Sequence, residues 1–300
     1  MPNITRFMPR QLLQPGEAGW PDFGPFKYRF IAQGDSWFSI GAIPPTATTN
    51  ILLELNLQAK SCAVNCAHPG FTLARMVDFV KDPTFTQLVV GNQAWAWDGF
   101  LMSAGGNDLI DAVQVLPRYG DNHPLQGQLI EPRFRILLRP DEWGPGPGVS
   151  RYISEKGWQT FTTMLQGSFQ RLANTRDHAL SKSQGVPVFV HCYDYLLARN
   201  APAGPGMGPW LHPAVTAYKI PDGDWGALGR ELITRLRKLL QDCQQILSNL
   251  TVIDTTGTLI AAAPGTKGPS NDWQNEIHPT EGGYRKIAAK YAAEVNSQFP

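Results

Sequence analysis

The sequence has almost no net charge. Its 300 residues include 26 Lys and Arg and 25 Asp and Glu, which leaves a formal charge of +1 at pH 7. Without an excess of one sign, the chain has no broad field to hold a nucleic-acid backbone or an anionic membrane. We therefore predict that nucleic acid is not a partner.

Long apolar runs and a cysteine framework are also missing. No segment approaches the ~18 apolar residues of a membrane span, and the start of the chain lacks the apolar stretch of a secretory signal. The default expectation is a cytoplasmic protein, and non-classical export would leave no mark in the sequence. Cys62, Cys66, Cys192 and Cys243 form no disulfide pattern. We expect buried free thiols, with a Cys62 to Cys66 disulfide or a metal site as alternatives.

The chain has no repeat of fixed period, which excludes solenoids and propellers. It contains an alternation of strand-like and helix-like segments instead. Short apolar runs are predicted as strands at residues 28–33, 60–65, 99–104, 186–191 and 250–254. They are apolar on both faces, as is typical of parallel strands covered on both sides.

Segments with helical periodicity separate these runs. They are residues 72–80, 154–180, 228–250 and 281–299. Alternating β and α elements predict a three-layer α/β/α sandwich with about five mainly parallel strands.

We interpret residues 1–27 as an N-terminal extension and residues 28–300 as a single domain. Two segments rich in Pro and Gly, 111–149 and 200–224, interrupt the alternation. Both follow predicted strand ends, where an open α/β sheet binds its ligands. We predict that they are loops that form the site rather than linkers between domains.

The first predicted strand ends at Gly34, Asp35 and Ser36. A serine at the carboxyl end of a parallel strand presents its hydroxyl at the edge of the sheet that binds ligands, where it could act as a nucleophile. The tripeptide alone is more typical of a turn that enters a helix.

Three further residues follow other predicted strands and reach the same edge. Gly70 could offer a backbone N–H and Asn107 a side-chain amide to a developing negative charge. His278 could accept the Ser36 proton and return it to a leaving group. Each residue alone fits an ordinary turn, but their joint placement at successive strand ends favours a catalytic site.

The order of these blocks resembles the GDSL-type, or SGNH, hydrolase family over about residues 28–296. The resemblance implies a flavodoxin-like α/β/α sandwich and a serine ester hydrolase. It implies that Ser36 is the nucleophile and His278 the base. The oxyanion hole would comprise the N–H groups of Ser36 and Gly70 and the amide of Asn107.

The sequence departs from the family pattern at two positions. Trp37 replaces the usual Leu, which we interpret as a local change of packing. Asn275 replaces the usual Asp three residues before His278, and an amide cannot stabilise an imidazolium by charge. Asn275 could orient the imidazole without charge, or a carboxylate could come from Asp272, favoured over Glu276. The third alternative is a backbone carbonyl.

We predict cleavage of a small-acyl ester, of the esterase or O-acetyl-sugar esterase type, without a metal or organic cofactor. Trp37, Tyr195 and Trp273 are candidates for binding the substrate, because aromatic rings on loops can stack on sugars. A non-catalytic module that binds a glycan or a protein is the alternative, and Asn275 is its support. The substrate and the oligomeric state cannot be read from the sequence.

Overall fold

The computed structural model describes residues 4–39 and 49–300. In this part of the chain, six strands form one sheet in the order β1-β3-β2-β4-β5-β6, and every neighbouring pair is parallel. The strands are β1 (Thr5–Phe7), β2 (Tyr28–Gly34), β3 (Ser61–Asn65), β4 (Gly99–Ser103), β5 (Val188–His191) and β6 (Leu250–Ile253). The predicted parallel α/β fold is confirmed, and β2 to β6 coincide with the five predicted strands.

Helices flank the sheet. Within the described residues they are α1 (Arg10–Leu13), α2 (Ile51–Glu54), α3 (Leu73–Met76), α4 (Pro83–Val89), α5 (Gly106–Gln114), α6 (Glu155–Arg176), α7 (His212–Ala217), α8 (Trp225–Asp242) and α9 (Glu281–Gln298). Helix α2 packs against α9, and α3, α4 and α5 each contact α6. The helices predicted at residues 154–180, 228–250 and 281–299 are present as α6, α8 and α9.

The predicted helix over residues 72–80 is shorter than expected, since α3 ends at Met76. The Asp78 carboxylate accepts hydrogen bonds from the backbone N–H groups of Val80 and Lys81. Such a side-chain turn competes with the hydrogen bonds that would continue a helix.

Strand β1 was not expected from the sequence. It pairs with β3, with Thr5 opposite Cys62, and extends the sheet at one edge. Part of the predicted N-terminal extension, residues 1–27, thus belongs to the sheet, while its first three residues lie outside the described part. Three residues are too few for an alternating pattern to indicate a strand.

The topology places one crevice at the centre of the sheet. Apart from β1, the strands follow the order 2-1-3-4-5, which reverses direction between β2 and β4. An open α/β sheet binds ligands outside the carboxyl ends of the strands at such a point. Ser36 follows β2 by two residues, and α5 follows β4, so the candidate residues reach this crevice.

All four cysteines are buried free thiols, as expected. Burial raises the pKa of the Cys62 and Cys243 thiols to about 12, so both are protonated at neutral pH. Among the helices of residues 4–39 and 49–300, none has the length and apolar character needed to cross a membrane.

Candidate active site

The turn that carries Ser36 depends on a close approach between two strands. A Cβ atom added to Gly34 would lie 2.9 Å from Cβ of Ser103 on β4, so only glycine fits here without a shift. The backbone N–H of Asp35 then donates to the Ser103 carbonyl at 3.1 Å. These contacts fix the end of β2 immediately before Ser36.

Ser36 and His278 form a hydrogen-bonded pair, although 242 positions separate them in the sequence. Ser36 Oγ lies 2.7 Å from His278 Nε2. The two residues are 7% and 6% exposed. Burial lowers the pKa of His278 to about 4, so its imidazole is neutral near pH 7 and can accept the Ser36 proton at Nε2.

Asn275 holds the other side of this imidazole. Its Oδ1 lies 3.1 Å from His278 Nδ1 and also accepts the backbone N–H groups of Ile277 and His278. An oxygen that accepts these donors places the ring proton on Nδ1 and leaves the lone pair on Nε2. Of the three arrangements left open by the sequence, the structure shows the one in which Asn275 contacts the histidine.

The two candidate carboxylates bind elsewhere. Asp272 Oδ2 accepts from the Lys286 ammonium at 2.6 Å and from the Ile260 backbone N–H at 2.7 Å. Glu276 accepts backbone N–H groups from the 200–224 segment, including those of Leu211 and His212. The structure therefore does not bring Asp272 or Glu276 to the imidazole of His278.

Two of the predicted oxyanion donors, Gly70 and Asn107, lie in segments that follow β3 and β4 and are linked to each other. Asn107 Nδ2 donates to the carbonyl of Phe71 at 3.1 Å, which links α5 to the turn that contains Gly70. Gly70 has φ of +76°, a conformation that favours glycine. Within residues 4–39 and 49–300, the backbone N–H groups of Ser36 and Gly70 have no hydrogen-bond acceptor. Both remain available to a ligand.

A small cavity of about 30 Å³ lies beside the nucleophile. Ser36, Trp37, Asn107 and Trp273 are among its lining residues. Trp37 and Trp273 are only 4% and 2% exposed, so these two candidates form the wall of a cavity rather than an open stacking surface. Tyr195 is not among the lining residues, and its ring lies under the Arg230 guanidinium at 4.1 Å.

Trp210, a tryptophan of the predicted site-forming segment 200–224, is a neighbour of the site. Its half-buried ring meets the His278 imidazole edge to face, with 5.4 Å between centroids. Glu276 accepts the Trp210 backbone N–H, and Gln114 donates to the Trp210 carbonyl at 3.0 Å. The predicted site-forming segment 200–224 is thus fixed beside the histidine.

The sequence did not predict the buried hydrogen-bonded cluster of Asp35, Ser103 and Tyr193 next to Ser36. The Asp35 carboxylate accepts hydrogen bonds from the hydroxyls of Ser103 and Tyr193 at 2.7 and 2.6 Å. Desolvation by burial raises the pKa of Asp35 to about 6, and both hydroxyls work against that rise. The signals available were the position of Asp35 beside Ser36 and that of Tyr193 after a predicted strand, but nothing in the sequence pairs the two residues.

The described part of the chain contains no group of three or more His, Cys, Asp or Glu side chains that could hold a metal ion.

Solved structures with a similar fold include lipases and esterases. An extracellular lipase from Streptomyces rimosus is 12% identical, with a TM-score of 0.48, over 90% of this chain and 99% of the lipase. A native aryl esterase from M. smegmatis is 11% identical, with a TM-score of 0.48, over 90% and 99%. A catalytic mutant of an acetylxylan esterase from Geobacillus stearothermophilus is 12% identical, with a TM-score of 0.45, over 90% and 94%.

No protein-family model matches the sequence, and no curated protein does. At identities of 11–12%, the likeness to these solved structures is one of fold.

Proposed function

We propose that this protein is a serine hydrolase that cleaves an ester of a small acyl group through an acyl-enzyme on Ser36. The observation that carries the proposal is the 2.7 Å contact between Ser36 Oγ and His278 Nε2. A hydroxyl within hydrogen-bond reach of a neutral imidazole, whose other nitrogen is oriented by a third group, is the arrangement of an activated nucleophile.

Each residue has a defined part in the proposed reaction. Ser36 Oγ attacks the ester carbonyl carbon while its proton moves to His278 Nε2. The N–H groups of Ser36 and Gly70 and the amide of Asn107 donate to the oxyanion of the tetrahedral intermediate. As the bond to the leaving alkoxide breaks, the proton on Nε2 passes to that oxygen.

Water then repeats the two steps on the acyl-enzyme. His278 Nε2 takes a proton from the attacking water, and a second tetrahedral intermediate forms. Its collapse releases the carboxylic acid and returns the proton to Ser36 Oγ. The cycle needs no group beyond these residues and water.

The size of the cavity supports a small acyl group. The cavity beside Ser36 is small, at about 30 Å³, which favours a small acyl group over a long acyl chain. Trp210 supports a cyclic leaving group such as a sugar, because its half-buried ring lies beside the imidazole that would protonate the leaving oxygen.

Asn275 also supports one alternative function. An amide gives the imidazolium no charge stabilisation, so the fold could serve as a module that binds a glycan or a protein without turnover. The two proposals differ in a single observable, which is hydrolysis by the natural protein.

Hydrolysis of p-nitrophenyl acetate, butyrate and octanoate by the purified protein tests the proposal. We expect the acetate to give the highest kcat/KM, and Ser36→Ala to lower it at least ~10³-fold, since Ser36 is the hydroxyl that contacts His278 Nε2. Ser61→Ala is the matched control, because this buried serine donates only to the Ala59 carbonyl. Equal activity in the Ser36→Ala variant, or no turnover by the natural protein, would refute the proposal.

A further inference from the structure

Tyr193 follows β5 and lies between the two turns that carry the proposed catalytic groups. Its backbone has φ of +61°, which is uncommon for a residue with a bulky side chain. Its N–H donates to His191 Nδ1 at 3.2 Å, and its carbonyl accepts from Thr255 Oγ1 at 2.6 Å. Neighbouring groups thus hold Tyr193 in a costly conformation, a feature that clusters at functional sites.

The hydroxyl of Tyr193 connects to the nucleophile through Asp35. It donates to Asp35 Oδ2 at 2.6 Å. The other carboxylate oxygen, Oδ1, accepts the backbone N–H of Trp37 at 2.9 Å. Asp35 and Trp37 are the residues before and after Ser36. The buried Asp35 carboxylate therefore fixes the backbone on both sides of Ser36.

His191 and Ser103 belong to the same buried cluster, and each hydrogen bond between them and Asp35 has a defined donor and acceptor. Because His191 Nδ1 accepts the Tyr193 N–H, its proton is on Nε2, which donates to Ser103 Oγ at 2.9 Å. Ser103 in turn donates its hydroxyl proton to Asp35 Oδ1 at 2.7 Å. Burial lowers the pKa of His191 to about 3, so this imidazole stays neutral and the direction of the hydrogen bonds is fixed.

The ring of Tyr193 packs against the start of α5, next to the proposed oxyanion donor Asn107. A Cβ atom added to Gly106 would lie 2.5 Å from Cζ of the Tyr193 ring, so the ring packs directly on this glycine. Gly106 is the first residue of α5 and immediately precedes Asn107. The ring therefore limits how close the start of α5 can come to the nucleophile turn.

We propose that Tyr193 is a positioning residue that sets the distance between Ser36 and Asn107, because its hydroxyl is bonded to Asp35 in the Ser36 turn and its ring packs on Gly106 before Asn107. The inference rests on the proposed hydrolase function. Tyr193 also lines the small cavity beside Ser36, but its hydroxyl is bound to Asp35 and lies off the proton path between Ser36 and His278. A displacement of about 1 Å in such a constellation can lower the rate ~10²-fold.

Tyr193→Phe removes the hydroxyl and keeps the ring. We expect kcat for p-nitrophenyl acetate to fall ~10- to 100-fold while KM changes less than twofold, since only the placement of Ser36 is lost. Tyr218→Phe is the matched control, because this fully buried tyrosine donates its hydroxyl to the Val115 carbonyl at 2.7 Å. We expect it to leave kcat within twofold, although it too removes a buried hydrogen bond.

A double-variant cycle with Asp35→Asn tests the path from Tyr193 to Ser36. If the hydroxyl acts only through this carboxylate, the double variant loses no more kcat than the more damaged single variant. Losses that multiply would show that Tyr193 does not act through Asp35 and would overturn this part of the inference.

The rate at which a fluorophosphonate labels Ser36 separates the inference from the proposed function. A natural protein that is not labelled contradicts the hydrolase itself. A natural protein that is labelled, together with a Tyr193→Phe variant of unchanged labelling rate and kcat, leaves the hydrolase standing and overturns the positioning role. A lower melting temperature with unchanged kcat would assign Tyr193 to stability alone.

Discussion

Replacement of Asn275 by Asp places a negative charge 3.1 Å from His278 Nδ1. At an effective dielectric constant of about 20, a unit charge pair at this distance is worth about 5 kcal/mol, which is an upper bound. Opposite charges this close raise the pKa of a cationic group by ~1–3 units. The pKa of His278, which burial lowers to about 4, should therefore rise to ~5–7.

The same charge stabilises the imidazolium that forms when Ser36 gives up its proton. A gain of about 2 pKa units corresponds to about 2.7 kcal/mol, or ~10²-fold in rate if the transition state receives all of it. We expect kcat of Asn275→Asp at pH 8 to rise ~10- to 100-fold above that of the natural protein. The variant has almost the same shape as Asn275, so its packing should be unchanged.

The assay is the pH dependence of kcat/KM for p-nitrophenyl acetate between pH 3.5 and 8. His278 must be neutral to act as a base, so kcat/KM should fall as the pH decreases through its pKa. This acidic limb should move upward by 1–3 units in the variant. Asp35, with a pKa of about 6, is present in both proteins, so its titration affects both profiles.

Asn275→Ala serves as the control for lost orientation. It removes the acceptor that fixes the imidazole tautomer, and kcat should fall at least ~10-fold. If Asn275→Asp leaves both the acidic limb and kcat at pH 8 unchanged, the assigned role of this residue in holding His278 is wrong.

Three further predictions concern residues around the site. Although burial works against it, the Arg135 guanidinium at 2.5 Å helps to lower the pKa of Glu142 to about 2. The ionised Glu142 carboxylate therefore stabilises the folded protein fully above pH 4.5, and this stabilisation is lost as the pH falls toward 2. Glu142→Gln should lower the free energy of unfolding at pH 7 by ~3 kcal/mol in urea titrations. It should also remove the pH dependence of stability between pH 4.5 and 2. Trp210→Ala should raise KM for an acetylated xyloside ~5-fold or more, because the sugar leaving group has a ring that can stack on the tryptophan. It should leave kcat/KM for ethyl acetate, measured by acid release, unchanged. Equal effects on both esters would contradict a role of Trp210 in binding the leaving group. Gly34→Ala should lower stability by ~1–3 kcal/mol, because the added methyl group separates β2 from Ser103. The control Gly167→Ala has open space around the added methyl group in α6 and should raise stability by ~0.5–1 kcal/mol. The same shift in melting temperature for both variants would exclude the proposed clash.

The sequence was sufficient to predict five of the six strands in the described sheet, and the position of Ser36 after the first of these five. Apolar runs predicted β2 to β6 because buried parallel strands have little freedom in composition. The carboxyl ends of parallel strands meet at one edge, so strand order alone indicated that Ser36, Asn107 and His278 lie close together.

The parts that the sequence did not predict depend on contacts between distant residues. Spacing could not decide among Asn275, Asp272 and Glu276, because the choice depends on which backbone N–H groups and cations each side chain meets after folding. The role of Tyr193 depends on a left-handed backbone that its residue type disfavours. Only tertiary contacts specify such a conformation.

The most direct test of the account is covalent labelling of the natural protein with a fluorophosphonate, followed by mass spectrometry of the modified peptide. The proposed pair of Ser36 and His278 predicts one adduct, on Ser36, that is absent from Ser36→Ala and strongly reduced in His278→Ala. Folded protein that carries no adduct, or an adduct on another serine, would contradict the account.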